Sequence, residues 1–343
     1  MNNSKSIVHL IPHEGIGGVE RAALTMRFIS NDFLNFNVTS IFPSQKKINF
    51  FILWNPYYYI KTIFRLFEAK PEILILSLWR SCIVGFVLKL VQPKMKLVLF
   101  LHCPKNVHFL DRLFSNLISK ISIQIWADSY ETIKGRLELK LHNKSRVISF
   151  VTEKIYVENN LINLNPTFFF WGRIHEHKNL LSSLSLFSEI KAKMEDAKFV
   201  IIGPDGGDLE RVKKNIIELN LIDSVNITGP LHFSEIKKLS LGASFYLQTS
   251  VLEGMALSVV EAMQLGLVPI ITPVGEIKNY CIDGFNAVVI DYEKNTVNKV
   301  LDILNNIESF QKLRKNAINT WENSLIYEDN VLANCMKLLK EDY

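Results

Sequence analysis

Glu253-Gly-Met-Ala-Leu-Ser-Val-Val-Glu261, running on through Ala-Met-Gln-Leu-Gly266 into Leu-Val-Pro-Ile-Ile271, carries the strongest structural signal in the chain. A Gly-containing loop feeds an apolar helix that ends near Gly266, and an apolar strand over residues 268–271 begins at once. That is a strand-loop-helix-strand unit, the building block of a parallel sheet covered by helices. The N-terminus of such a helix presents free backbone N–H groups and the positive end of the macrodipole, here at Met255, Ala256 and Leu257, which suits a phosphate. Glu253 stands in the loop beside that cradle, and Glu261 points back from the first two turns of the helix. A carboxylate at each end of a phosphate cradle matches a ligand with hydroxyls on both sides of a diphosphate, as a nucleotide-sugar has. The alternative for the two carboxylates alone is a buried helix with solvated glutamates.

Outward from this unit the same alternation runs through the chain. In the front half the pattern predicts strands at residues 7–11, 36–42, 73–78, 96–101, 123–127 and 146–150. In the back half it predicts them at 167–171, 198–202, 224–228, 244–248, 268–271 and 287–290. Helical stretches fall between, so the expected class is α/β with two doubly wound, Rossmann-like domains whose ligands lie at the carboxyl ends of the sheets. A length of 343 residues also exceeds the usual single core. Residues 152–166, rich in Asn and Glu and weak in periodicity, read as the linker. The division expected is 1–154 and 155–320, followed by a C-terminal segment, 321–343, within a helical stretch that starts near Glu308 and packs across the join.

Other elements carry weaker signals. Gly15, Gly17 and Gly18 follow the first strand and precede a helix starting near Val19, a turn that lets backbone approach a phosphate or sugar. Arg21 stands where a further glycine would complete a dinucleotide fingerprint, so that site is not supported. Arg173 and Lys178 lie in Trp-Gly-Arg-Ile-His-Glu-His-Lys just after the first back-half strand, where two cations can meet a diphosphate. No Asp-x-Asp occurs in the chain, so fixed cations rather than a divalent metal are expected to neutralise a leaving diphosphate. The segments at residues 203–208 and 228–231 read from their residues as plain turns. His102 and Asp128 each end a strand at the edge of the first sheet, where a lone polar residue is either a structural hydrogen-bonder or a ligand contact. His175 and His177, with no third ligand evident, read as solvated residues and not a metal site.

Taken together, Glu253, Gly254, Glu261, Gly266 and Pro269 with the Gly-Arg...Lys pair at Arg173 and Lys178 resemble the signature of glycosyltransferase family 4, retaining enzymes of the two-domain GT-B fold. The resemblance spans nearly all of the second domain, and in the first only the glycine loop, His102 and the strand order. It implies that Glu253 lies at the sugar and Glu261 at the ribose hydroxyls, and that Arg173, Lys178 and the amides after Gly254 hold the diphosphate. It implies that Gly17 and Gly18 face the donor, that His102 contacts the sugar, that residues 203–208 and 228–231 lie beside the nucleotide base, and that the C-terminal helix returns to the first domain. The activity implied is transfer of a sugar, with retention, from a nucleoside-diphosphate sugar to a glycan acceptor, without a cofactor or metal. Other readings are an epimerase or phosphorylase of the same architecture, a non-catalytic partner subunit, or a nucleic-acid binder.

Charge adds a hint about partners. The net charge is +5, but residues 1–154 hold 21 Lys and Arg against 10 Asp and Glu, while the remainder is acidic. Basic residues there interleave with Trp54, Tyr57, Tyr58, Tyr59, Phe64, Phe67 and Trp79, a composition suited to an anionic membrane surface or to an ordinary core with solvated lysines. A lipid-linked acceptor of bacterial surface polysaccharide synthesis, met by a peripheral protein, is the corresponding expectation, and nucleic acid is not expected as a partner. No signal-like segment begins the sequence, and the most apolar stretch, residues 73–91, is broken by Arg80 and Lys89, so a cytoplasmic protein is expected. Cys82, Cys103, Cys281 and Cys335 lie far apart and read as reduced and buried.

Overall fold

Runs such as Ile73-Leu-Ile-Leu76 are apolar on both faces, and only a sheet covered on both sides can bury them. The computed structural model describes residues 4–15, 17–30, 33–43, 50–156, 164–291 and 296–340. The chain divides into two compact units, Met1–Thr152 with Leu325–Tyr343, and Glu153–Ser324.

The first unit holds β1 (Lys5–Ile11), β2 (Ile29–Ser30), β3 (Leu34–Ser40), β4 (Ile73–Ser77), β5 (Lys96–Leu101), β6 (Gln124–Ala127) and β7 (Ser145–Val147). They lie in the order β2-β3-β1-β4-β5-β6-β7. Every pairing is parallel except that of β2 with β3. β2, at two residues, is too short to leave a periodic signal and has no counterpart in the sequence reading.

The second unit holds β8 (Thr167–Trp171), β9 (Lys198–Ile202), β10 (Val225–Gly229), β11 (Phe245–Gln248), β12 (Val268–Ile271) and β13 (Val288–Val289). Their order is β10-β9-β8-β11-β12-β13, all parallel. The expected strands therefore form, the last of each half shortened. Phe168, Phe199 and Phe245 are fully buried at its centre. Each side chain of this kind contributes about 1.5–3 kcal/mol on burial, and Phe168 stacks on Phe245 at 5.1 Å between centroids.

Both sheets reverse their winding. From β8 the chain winds outward to β9 and β10, then returns to β11 beside β8 and winds the other way, so the loops after β8 and β11 diverge at one crevice. In the first unit the reversal falls between β1 and β4.

The helical stretch from residue 308 onward is two helices rather than one. Ile307–Glu322 ends at Asn323, and Tyr327–Lys340 begins four residues later in the other unit. Within the first unit Tyr327 N donates to Val151 O at 2.7 Å, and Asn330 Oδ1 accepts from Ser149 N at 2.9 Å. The expected linker lies partly outside the described residues, at 157–163. Cys82, Cys281 and Cys335 are buried and free. Cys103 is free but half-buried, since it lies in the loop after β5 and not in an element. No described helix is long and apolar enough to cross a membrane.

Candidate active site

β11 ends on Gln248, a fully buried polar residue at the end of an otherwise apolar strand. Its Oε1 accepts from Tyr246 Oη at 2.8 Å and Ser258 Oγ at 3.0 Å, which aims its amide at Glu253, where Nε2 donates to Oε1 at 3.2 Å. The same Glu253 Oε1 accepts from Lys178 Nζ at 2.6 Å. Lys178 and Glu253, to which the resemblance gives separate tasks, thus pair with each other. Their side chains are 20% and 11% exposed, enough shelter for the pair to outlast salt screening. Burial raises the Tyr246 phenol well above its usual range, opposed by the Ser258 hydrogen bond and reinforced by the Glu253 charge, so it stays a donor. The two loops are stitched together where Val251 N donates to His177 O at 2.9 Å and Thr249 Oγ1 to Asn179 O at 2.6 Å.

Beyond Glu253 the backbone turns sharply into the helix Leu257–Gln264. Ala256 caps it in the left-handed region at φ 57°, and no side chain caps the helix. The N–H groups of Met255, Ala256 and Leu257 donate to no backbone or side-chain acceptor among the described residues, leaving them for an anion. Gly275, at φ 57°, lies so close to this turn that a Cβ there would sit 2.2 Å from Glu253 O. Glu276 N donates to Gly254 O at 3.0 Å and Tyr280 Oη to Met255 O at 2.8 Å, so the turn is held from outside as well. Glu261 is 2% exposed, and its Oε2 accepts from Trp171 Nε1 at 2.8 Å. It is therefore a buried carboxylate in a hydrogen bond, not a solvated one.

Arg173 is exposed and makes no ion pair among the described residues. Its stem runs over Gly206, where a Cβ would come within 2.6 Å of Arg173 Cγ. His175, Glu176 and His177 bring three donor atoms within 4.8 Å of one another. The third donor that the sequence reading lacked is thus Glu176, and all three lie at or near the surface.

In the first unit, Gly17 caps the helix Gly18–Thr25 at φ −68°, a value open to any residue, so the local backbone does not itself demand glycine there. His102 and His9 share one hydroxyl: Ser77 Oγ lies 2.8 Å from His102 Nε2 and 2.7 Å from His9 Nε2. One serine proton cannot serve both rings, so one imidazole donates to Ser77 and the other accepts from it. Burial lowers His9 to about 3. His102 falls well below its usual value through burial first, then the charges of His9 and Arg136. Asp128 accepts from Ser129 Oγ and Thr132 Oγ1, while Ser129 itself caps the helix Tyr130–Arg136 by accepting from Thr132 N.

Sequence reasoning missed Gln248, Tyr246, Ser258, Trp171, Tyr280, His9 and Ser77. The signal for Gln248 was present, a polar residue closing an apolar strand before a functional loop. Tyr246 and Ser258 bond to Gln248 from two and ten residues away, and the rest bond across 25 to 90 residues that no local spacing reveals.

Comparison with known proteins agrees with this fold. Residues 151–320 match the family described as glycosyl transferases group 1. An uncharacterized glycosyltransferase of Methanocaldococcus jannaschii is 28% identical over 54% of this chain and 50% of its own length. The GDP-mannose:cellobiosyl-diphosphopolyprenol alpha-mannosyltransferase of Xanthomonas oryzae pv. oryzae is 25% identical over 37% of this chain and 34% of its own. The matches thus span half or less of these relatives. The crystal structure of Anabaena HepE in complex with UDP superposes with a TM-score of 0.75, covering 98% of this chain and all of that one at 14% identity. The two parallel-sheet units make the GT-B fold, and residues 151–320 are similar to the glycosyl transferases group 1 family.

Proposed function

We propose that the chain is a retaining glycosyltransferase that moves a hexose-type sugar from a nucleoside-diphosphate sugar to a hydroxyl of a lipid-linked glycan acceptor in bacterial surface polysaccharide synthesis. The observation that carries this reading is the Lys178–Glu253 pair beside the uncapped N-terminus of the helix Leu257–Gln264. A departing nucleoside diphosphate needs its charge met by preorganised groups. Lys178, Arg173 and the amides of Met255, Ala256 and Leu257 meet it here, without a divalent metal. An arriving diphosphate competes with Glu253 for Lys178 Nζ, and the carboxylate so released accepts from a sugar hydroxyl. The acceptor oxygen bonds to the anomeric carbon on the face from which the diphosphate leaves, as the old C–O bond breaks. The departing phosphate oxygen takes the acceptor's proton, so configuration is retained and no protein nucleophile is used. Glu261 holds the ribose.

The acceptor and location rest on a different surface. The helix Pro56–Ala69 packs Thr62 and Leu66 inward yet exposes Tyr57, Ile60, Phe64 and Phe67 to solvent, with Lys61, Arg65 and Lys70 alongside. An outward apolar stripe edged by cations suits peripheral contact with an anionic membrane at its cytoplasmic face. The Xanthomonas relative's name includes a diphosphopolyprenol acceptor, which supports the same class.

The test is turnover of the purified chain with a panel of sugar nucleotides and lipid-linked acceptors, with and without EDTA, followed by assignment of the product's anomeric configuration. Transfer that survives chelation and retains configuration is expected. Inversion, or loss of all activity with EDTA, would overturn the mechanism.

A further inference from the structure

The loop after β5 forms a basic hollow that the donor chemistry does not use. Lys105, Asn106, His108 and Arg112 surround a cavity of about 400 Å³ floored by Gly135, and no carboxylate is among its lining residues. Lys105 and Arg112 are exposed and make no ion pair or side-chain hydrogen bond among the described residues. His108 caps the helix Phe109–Ile121, its Nδ1 accepting from Asp111 N at 3.2 Å, so in the neutral ring the proton sits on Nε2 as a donor.

The nearest carboxylate is turned away and tied down. Asp111, next to Arg112, is buried and pairs with Arg136, Oδ1 to Nη2 at 3.0 Å, with the two side chains 7% and 5% exposed. That pair braces the hollow's rim: Asp111 Oδ2 accepts from Val107 N at 2.9 Å, while Arg136 Nη1 donates to Lys105 O at 3.3 Å and lies 3.5 Å from Cys103 O. The floor is equally set, because a Cβ on Gly135 would come within 2.2 Å of Pro104 O. A buried ion pair is costly to build beneath a surface loop. Its effect here is to hold two cations and a donor in a fixed hollow while removing the acid that would neutralise them. Such a hollow at the carboxyl edge of a doubly wound sheet attracts an oxyanion. Val107 and Phe109, 73% and 74% exposed, add an apolar rim beside it.

We infer that this hollow binds the phosphate or diphosphate group of the acceptor, held by Lys105, Arg112 and His108. The inference rests on the transferase reading for the word acceptor, but the anion site itself does not. The apolar rim favours an acceptor whose phosphate carries a hydrocarbon chain.

Direct binding is measured first, by calorimetry with inorganic pyrophosphate on the full chain carrying Arg173→Ala and Lys178→Ala, which removes the donor site's two cations and weakens its hold on the probe. Adding Lys105→Ala and Arg112→Ala to that background is expected to weaken binding by about tenfold or more, as loss of charge-assisted bonds does. Unchanged affinity overturns the inference. Transfer is measured next on an otherwise native chain, comparing one sugar as a short alkyl diphosphate with the same sugar as a neutral alkyl glycoside. The Lys105→Ala, Arg112→Ala variant should raise KM for the diphosphate acceptor alone and leave donor KM unchanged. Equal KM changes for both acceptors, or none, also overturn it. Pyrophosphate binding that depends on Lys105 and Arg112 in a chain with no transfer activity would sink the transferase reading while keeping the anion site.

Discussion

Lys178 Nζ and Glu253 Oε1 lie 2.6 Å apart, so the cation proposed for the diphosphate and the carboxylate proposed for the sugar hold each other before either meets a ligand. Removing each partner should act differently on binding and chemistry. Glu253→Ala releases Lys178, so affinity for free nucleoside diphosphate should hold or rise while kcat falls by about a hundredfold or more. Lys178→Ala should weaken nucleotide binding and lower kcat together. Calorimetry with the nucleoside diphosphate and steady-state rates decide the matter, and equal loss of affinity in both variants would separate Glu253 from the site.

Glu261 is both a proposed ribose contact and the acceptor for buried Trp171 Nε1. Glu261→Ala strands that indole N–H at a cost of about 1–3 kcal/mol, so the melting temperature should drop as donor KM rises. Glu261→Gln keeps an acceptor for Trp171 and should restore most of the stability but not the KM. Denaturation and kinetics on the pair of variants test this. Recovery of both by Gln would assign Glu261 to the fold alone.

Gly275 offers a scaffold test, since it touches no proposed ligand group itself. Alanine there meets Glu253 O at 2.2 Å and must also adopt φ 57°. The left-handed conformation alone costs about 1–2 kcal/mol, and relief of the clash moves the Glu253 turn. Gly275→Ala should therefore lower both stability and kcat, whereas Gly284→Ala, at φ 68° with open space around it, should lower stability only. Comparable kcat losses in the two variants would mean the turn is not what Gly275 protects.

How far the sequence could be read follows from the range of each interaction. Strands such as Thr167–Trp171 were legible because burial on both faces writes a local apolar run. Glu253 and Glu261 stood out because one loop and its helix carry them at fixed spacing, and Lys178 because it follows the first back-half strand in a loop of its own. Their pairing was not legible, since Lys178 and Glu253 are 75 residues apart and meet only when β8 and β11 lie side by side. The break at Asn323 was hidden for another reason, because the helices on either side continue the same apolar periodicity.

The helix Pro56–Ala69 yields a surface prediction. If its outward stripe enters a membrane interface, Tyr57→Glu with Phe64→Glu should abolish cosedimentation with anionic vesicles while leaving the fold intact, both positions being exposed. Each aromatic buried contributes about 1.5–3 kcal/mol, so two losses outweigh any residual attraction of the flanking cations. Binding to neutral vesicles should be weak, and salt should diminish binding to anionic ones. Equal sedimentation of native and variant chains would leave the stripe without this role.

Acid should strike the first unit through His9 and His102. In the fold both rings are neutral: burial holds His9 at about 3 and His102 well below its usual value. In the unfolded chain both titrate near pH 6.5, about the ordinary value. A depressed folded pKa means the stabilisation is complete above the unfolded value and is lost as pH falls below it, because the unfolded state then binds a proton that the folded state refuses. Each histidine should remove about 1.4 kcal/mol per pH unit between roughly pH 6 and 5, a window in which most carboxylates remain ionised. His9→Asn deletes one of the two titrations, so its stability should depend on pH about half as steeply there, even if it starts lower at pH 7. Chemical denaturation of the native chain and the variant at pH 7, 6 and 5 measures the slopes. Parallel slopes would show that His9 is not the group whose protonation the fold excludes.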